Sequence, residues 1–494
     1  MTIKHISLLL FLVLCTCALG QADVGYLNGA YINAGGGDEA FQDSNAHEKH
    51  QKTYARSDLR PAIRLRNTTL GYRLFKKKKR NTTLIPLVNL GLQYNNTLEH
   101  RNGLGFLLET HPIKNGYVRI GGLFDVSNSA VLNPGSIRLS NIGSPQQLWF
   151  MPMTRVAYTP NEVFSFHLGY DKNFIGAGRR SLFTSDYGKP MPFGQIRAQF
   201  WHMEYSVNYQ FLSEDYQGQP HAKFLTSHYL SWDILPWLNF GVFEAVVFQP
   251  KDTLLNRGYD VEYMNPFVFY RPQEYSLGSS DNIVIGAALK ASIQNTTIYS
   301  QIVLDEFLLS EIRSRSGWWA NKFGLQLGVK GRLTDNLNYR LEGNLVRPYT
   351  FSHLTPMQVY GHRGSALAHP YGSNFVEVLT ELNWRKKMNA KLRLKFFASI
   401  GFLGKDIAGL NYGADIYESY INRPNDYGNF IGQGLKQTFF ITNTRVSYPV
   451  LKEGRIHAFA ELQTQYSKSD NFSDLKFIPM VGLRSYLWND YRNY

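Results

Sequence analysis

The sequence predicts an all-β chain: a transmembrane antiparallel outer-membrane β-barrel of about 16–18 strands whose lumen is partly filled by loops. Three observations carry this. Apolar and polar residues alternate with period two over stretches of about ten residues, the signature of strands with one apolar and one polar face. The polar faces carry charges along their whole length, and the stretches reach the roughly 9–11 residues needed to cross a bilayer obliquely. In the second half of the chain the connections alternate between short and long, as turns and surface loops of a barrel do.

The chain opens with Lys4, an apolar run from Ile6 to Leu14, and small residues ending at Gly20. This predicts a secretory signal peptide over residues 1–20, cleaved near Gly20–Gln21. A lipoprotein signal ending at Cys17 is the rival reading, and Thr16 fits poorly before a lipidated cysteine. Cys15 and Cys17 are the only cysteines, so the exported chain has none, which excludes disulfide frameworks and thiolate metal sites. Residues 21–60 are polar and Gly-rich (Gly35–Gly37), with a short helical stretch around Glu39–Lys52. They form either a periplasmic extension or a plug. The barrel is assigned to 61–494.

Alternation begins near Ile63 and is clear from Val88 to Tyr94. Further strands are predicted at 104–111, 117–126, 149–158, 162–172, 197–212, 223–234, 237–249, 262–270, 282–294 and 297–309. The cleanest four lie within 322–402. Phe323, Leu325, Leu327 and Val329 face one way and Lys322, Gln326 and Lys330 the other. Leu341 is set against Arg340 and Glu342, Val378 against Glu377 and Glu381, and Leu394 against Arg393 and Lys395. Strands at 436–448, 454–467 and 475–488 complete the set. Short connections are expected at Gln294–Thr297, Thr334–Asn336, Lys386–Ala390 and Pro449–Gly454. Longer ones are expected at Arg313–Trp318, Pro348–Asn374, Gly404–Gly434 and Ser467–Asp474, on the extracellular side. Around 212–281 the parity stays open. Tyr486, Trp488, Tyr491 and Tyr494 suit an interfacial girdle.

Composition agrees: 44% of residues are hydrophobic and 14% aromatic, yet no run approaches the ~18 apolar residues of a membrane helix. A soluble sandwich or propeller is the competing class, but no blade-length repeat is visible. The net charge is +14, or +13 once Lys4 leaves with the signal, which implies anionic neighbours such as lipopolysaccharide phosphates or acidic glycans. Nucleic acid is excluded by compartment and by the lack of a motif. The basic run Lys76–Arg80 reads as a solvated strand end or turn.

Two stretches carry residues suited to ligand chemistry. The loop 347–374 contains Arg347, Tyr349, His353, His362, Arg363, His369 and Tyr371. Arginine suits carboxylates and phosphates through its planar fork, and aromatic faces suit sugar rings. Three histidines without close carboxylates make a poor metal site, and no GxSxG motif is present. The loop reads as a luminal constriction, a ligand site, or both. In the second stretch, FIGAGRRSLFTSDYGKPMPFG, Arg179, Arg180 and Asp186 either contact an anionic sugar or pair to hold a tight inward loop. GAG followed by RR lacks the spacing and helix of a phosphate loop. Trp318 and Trp319 read as belt residues or sugar-stacking groups. The acids of loop 404–434 lack an EF-hand register. No catalytic residue, cofactor or metal site is predicted.

These stretches resemble the capsule-assembly outer-membrane barrels of the Wzi type, and within them the Bacteroidetes branch that includes the gliding-motility protein RemB. The segments concerned are FIGAGRRSLFTSDYGKPMPF (174–193), HYLSW (228–232), FGVFEAVVF (240–248), YMNPFVFYRPQEYSLGSSDN (263–282), YSQIVLDEF (299–307), WWANKFGLQLG (318–328), VRPYTFSH (346–353) and LAHPYGSNF (367–375). The resemblance implies a barrel of about 18 strands and a non-enzymatic role in binding or organising surface polysaccharide. The alternative is a gliding-motility or secretion-associated barrel acting through protein partners. A diffusion porin is disfavoured by loops rich in bulky Arg, Tyr and His, and an enzyme by the lack of a nucleophile–base pair. Outer-membrane lipid, lipopolysaccharide and surface polysaccharide are the expected partners.

Overall fold

The computed structural model describes residues 59–60, 72–73 and 82–485, except 114, 130–134, 162, 251–257, 261, 267–280, 386–391, 408, 451–455 and 471. The signal peptide, most of the N-terminal segment, the start of alternation near Ile63, the Lys76–Arg80 run, the Lys386–Ala390 turn and the C-terminal aromatics lie outside the described residues.

Eighteen antiparallel strands close into one barrel. They are β1 (Thr82–Asn95), β2 (Thr97–Thr110), β3 (Gly116–Ser127), β4 (Gln147–Tyr158), β5 (Phe164–Asp171), β6 (Met191–Phe200), β7 (Met203–Tyr216), β8 (Gln219–Leu235) and β9 (Leu238–Phe248). The second half comprises β10 (Asn282–Ile293), β11 (Thr296–Glu306), β12 (Lys322–Thr334), β13 (Leu337–Val346), β14 (Phe375–Arg385), β15 (Arg393–Lys405), β16 (Leu435–Pro449), β17 (Ile456–Ser469) and β18 (Phe472–Ser485). Each pairs with its sequence neighbour, and β18 returns to β1 through Met480–Arg484 against Asn89–Gln93.

Parity is as the alternation predicts. Leu327 is 64% exposed while Gln326 beside it is 2% exposed. Leu325, Leu341, Val378, Leu394, Leu462 and Val481 are exposed, whereas Lys322, Arg340, Glu342, Glu377, Glu381 and Glu461 are buried. An apolar exterior around a charged interior is the reverse of a soluble protein and matches a lipid-facing wall. Tyr158, Phe164, Trp201, Trp237 and Tyr448 are exposed at the end of the barrel that carries the short turns, an aromatic girdle at one interface.

The connections settle the middle of the chain. The even strands from β2 to β16 lead into short connections, and the long connections (128–146, 172–190, 249–281, 307–321, 347–374 and 406–434) all leave odd strands. Three expectations need correction. The strand read at 197–212 is two strands, β6 and β7, split by a turn at Trp201–His202 with Trp201 in the left-handed region (φ 54°). That turn contains no Gly, Asn or Pro, so nothing in the sequence marks it. The strand read at 262–270 begins as a 3-10 turn, Glu262–Met264. The Ser467–Asp474 loop is a tight turn, since β17 and β18 pair as far as Ser469 and Phe472.

A fourth correction concerns register. If Arg385 and Lys391 flanked the turn, Glu381 would sit opposite Lys395; instead Arg385 pairs with Arg393, Glu381 with Phe397 and Asn383 with Lys395. The hairpin connection is two residues longer than the alternation implied. Lys395 still reaches Glu381 diagonally, Nζ to Oε1 3.7 Å.

Two connections shape the barrel wall. β5 and β6 stop at Asp171 and Met191 because the chain between them turns inward. The main chain at Leu59–Arg60 pairs there with Phe174–Ile175. The described residues of the β9–β10 connection instead pack outside the barrel. Tyr205 and Tyr209, on the outward face of β7, donate their hydroxyls to the carbonyls of Pro266 and Met264. Tyr259 and Tyr263 cover Phe224, Val246, Phe248 and Ile283.

Candidate functional site: the luminal plug and the extracellular mouth

The inward segment 172–190 is held by three glutamates of facing strands. Glu342 of β13 accepts the main-chain N–H of Arg179 (2.6 Å) and of Arg180 (3.0 Å), and the Tyr299 hydroxyl at 2.7 Å. Successive N–H groups turned toward one carboxylate form an anion-receiving nest. Here the anion is the protein's own. The approach explains the second glycine of GAGRR: a Cβ on Gly178 would lie 2.5 Å from Glu342 Oε2 and 2.7 Å from the Arg180 carbonyl.

The two arginine side chains take the other glutamates. Arg180 reaches Glu377 of β14 through Nε (3.3 Å) and Nη2 (3.2 Å). Glu377 also accepts from Ser399 Oγ at 2.7 Å and stands 2.9 Å from His369 Nε2. His369 receives the Tyr371 N–H at Nδ1 (3.1 Å), so its Nε2 carries the proton and donates to Glu377. Arg179 Nε lies 3.3 Å from Glu381 Oε1, which also holds Arg340 Nη1 at 2.9 Å through its other oxygen. Breaking one partner of such a buried network leaves an uncompensated charge, at about 3–5 kcal/mol.

The loop 347–374 packs onto the same scaffold. Its residues Phe351, Tyr360, Leu367 and Ala368 join Leu182, Phe183, Tyr229, Phe243 and Val303 in an apolar core inside the barrel. Lys223 Nζ donates to the carbonyls of Pro356 (2.9 Å) and Val359 (3.2 Å), and Asp305 accepts the Phe351 N–H at 2.8 Å. A hairpin, Gly361–His362 against Ser365–Ala366, docks on β7: Ser213 N–H donates to His362 Nδ1 and Arg363 N–H to the Ser213 carbonyl. Burial, with Arg363 and Lys223 nearby, pushes the His362 imidazole down to about 3.

The ten residues singled out from the sequence therefore divide. Arg179, Arg180, His369 and Tyr371 meet around Glu377 and Glu381. Asp186 is buried and faces the Lys172 ammonium. His362 and Arg363 sit on the β7 edge. Arg347, Tyr349 and His353 stand at the extracellular mouth. Among the described residues, no three His, Cys, Asp or Glu side chains gather to hold a metal ion.

At the mouth, Trp319, Tyr349, Tyr420 and His353 form a cluster, with Trp319 4.8 Å from Tyr420 and 6.0 Å from Tyr349, and His353 5.7 Å from Tyr420 (ring centroids). Arg423 lies over the Trp319 ring at 4.1 Å, and Lys322 over Tyr420 at 4.8 Å. Arg347 Nη2 ties the rim together by donating to the Asn429 carbonyl at 3.1 Å. Burial and the Lys322 ammonium push the His353 imidazole down to about 4. Sequence reading passed over Tyr420, Arg423 and Lys322; the WW pair was the one signal pointing here.

Fold and site together define a plugged transmembrane β-barrel of the outer-membrane kind. No family model matches the sequence, and no curated protein does. Among solved structures, the chain is similar to Wzi of Escherichia coli, an outer membrane protein involved in group 1 capsule assembly and a carbohydrate-binding β-barrel. The TM-score is 0.53 at 14% identity, over 83% of this chain and 84% of that one. OpdK of Pseudomonas aeruginosa gives 0.47 at 9% identity over 82% and 98%, and OprD of the same organism 0.44 at 9% over 81% and 94%. The likeness to Wzi is one of fold.

Proposed function

We propose that the protein is a non-enzymatic outer-membrane barrel, exported by a cleaved signal, that binds and organises surface polysaccharide at its extracellular mouth. One observation carries this reading: the partly exposed rings of Trp319, Tyr420 and His353 beside the Arg423 guanidinium, seated on the buried Tyr349 and Lys322. Aromatic faces stack on the apolar side of sugar rings, and cations beside them suit acidic groups on the same sugars. Arg347 and His353 are the proposed contacts among the residues chosen from sequence, and Tyr349, fully buried with its hydroxyl on the Asn411 carbonyl, is proposed to support them from beneath. Arg179, Arg180, Asp186, His362, Arg363, His369 and Tyr371 are proposed to hold the plug on which that mouth rests. The likeness of fold to a carbohydrate-binding barrel supports the same reading.

The test is binding of purified cell-surface polysaccharide to the wild-type chain and to Trp319→Ala and Arg423→Ala. Weakened binding with unchanged heat-modifiable gel mobility is expected. Unchanged binding in both variants removes the mouth as the site.

A second reading, a gliding-motility or secretion component of the RemB type, is favoured by the β9–β10 connection. Its described residues present protein where a barrel wall ordinarily meets lipid, a surface suited to a protein partner. Cross-linking from Met264, exposed on that connection, tests it: no protein adduct in intact cells counts against it.

A further inference from the structure

The wall is interrupted in its extracellular half. Because β5 and β6 end where the chain turns inward, β4 loses its β5 partner beyond Thr154 and β7 its β6 partner beyond Gln210. On one side the strand Ile137–Asn141 folds back onto residues 147–150 of β4. On the other, Ser213 of β7 is met by the luminal hairpin through three hydrogen bonds. These are Arg363 N–H to its carbonyl (3.0 Å), Arg363 Nε to its Oγ (2.9 Å), and its own N–H to His362 Nδ1 (3.1 Å). Between these edges, among the described residues, no strand ladder runs. Lys172 lies against Gly135, Gly188 lies against Ser365, and Lys189 Nζ donates to the Arg363 carbonyl at 3.0 Å.

Unpaired main chain is costly in hydrocarbon, so a break in a barrel wall persists only where polar groups line it. This seam is amphipathic. Leu139, Ile142 and Phe211 are exposed on its outer rim, while Lys189 and Arg363 line its inner edge. Of these, Arg363 belongs to the loop that runs on to the mouth. The seam is closed by the Lys189 contact, by the Ser185 N–H donating to the Leu367 carbonyl (2.7 Å) and by the apolar core that Leu182 and Phe183 share with Ala366 and Leu367, none of which belongs to the β5–β6–β7 ladder below.

We propose that the seam is a lateral passage that seats a lipid-linked glycan, its acyl chains in the outer leaflet and its saccharide reaching the mouth. The inference rests on the carbohydrate-binding reading and adds the class of ligand: a lipid-free chain gains nothing from the apolar rim.

A disulfide lock tests it. An ideal Cβ on Gly188 lies 3.7 Å from Ser365 Cβ, within the disulfide range of about 3.5–4.5 Å, so Gly188→Cys with Ser365→Cys joins the inward segment to the hairpin. The full-length variant in detergent is offered smooth lipopolysaccharide and the polysaccharide released from it by mild acid. Reduced protein is expected to bind the lipid-linked form about tenfold more tightly. Oxidised protein should lose that preference and still bind the released polysaccharide. Single-cysteine variants control for the substitutions. Equal binding of both forms by reduced protein, or an unchanged preference after oxidation, overturns the passage and leaves the mouth intact. If neither probe binds while purified surface polysaccharide does, the passage alone falls. If none of the three binds, both readings fall.

Discussion

Arg180 and Glu377 meet inside the barrel, Nη2 to Oε1 3.2 Å, although 197 residues separate them in the chain. One belongs to a segment that leaves the wall and the other to the wall itself, so this pair fastens the plug to the barrel. Both groups are almost wholly buried, and Glu377 also carries His369. Glu377 therefore holds the segment 172–190 and the loop 347–374 at one point.

Removing one partner should therefore unseat the plug. Arg180→Ala is expected to cost about 3–5 kcal/mol of plug seating while the strand ladder stays formed. Planar-bilayer conductance should rise, and the heat-modifiable gel shift should be kept. Wild-type conductance in Arg180→Ala would mean that the apolar core of the plug holds without the ion pair.

The wall makes a different prediction. Leu327→Arg and Leu462→Arg put a charge on the lipid face, at about 2–4 kcal/mol near the midplane. Gln465→Arg, three residues along β17 from Leu462 and on the inward face, should be tolerated. Folding yield into lipid vesicles distinguishes them, and equal yields would contradict the parity of β17.

Glu381 tests the network rather than a single pair. Glu381→Lys should destabilise, because Arg340 and Arg179 stand 2.9 and 3.3 Å from its carboxylate. Lys395→Glu added to it should restore only a small part, since Lys395 is the most distant of the three cations at 3.7 Å. Urea midpoints of the two single variants and the double variant report the coupling. Full rescue would assign the carboxylate chiefly to Lys395.

Acid should loosen the loop 347–374. His353 and His362 stay neutral in the seated loop down to about 4 and about 3, whereas a released loop takes up protons near the ordinary histidine value of about 6.5. The folded values are depressed, so the released state binds more protons below about 6.5 and seating weakens as pH falls through that window. Conductance measured from pH 7.5 to 4.5 should rise, and His362→Gln should shrink the rise. A flat profile in the wild-type chain would show that the loop stays seated with charged histidines.

The sequence by itself determined the wall. Period-two alternation names the lipid face residue by residue, because a side chain's face follows from its position in the strand. Leu327 against Gln326 and Val378 against Glu377 are legible in the alternation alone. Turn lengths likewise gave the extracellular side of loops 347–374 and 406–434. Only the tertiary structure decided what fills the barrel. The turn at Trp201, the longer hairpin after Arg385 and the inward path of 172–190 leave no periodic mark. The carboxylates that receive Arg179 and Arg180 lie more than a hundred residues away, on strands whose alternation shows only that they point inward. Which inward charge meets which depends on barrel closure and on where the inserted loops cross the lumen. For the same reason Trp319, Tyr420 and Arg423, scattered across two connections, become neighbours only once the ring of strands brings those connections to one mouth.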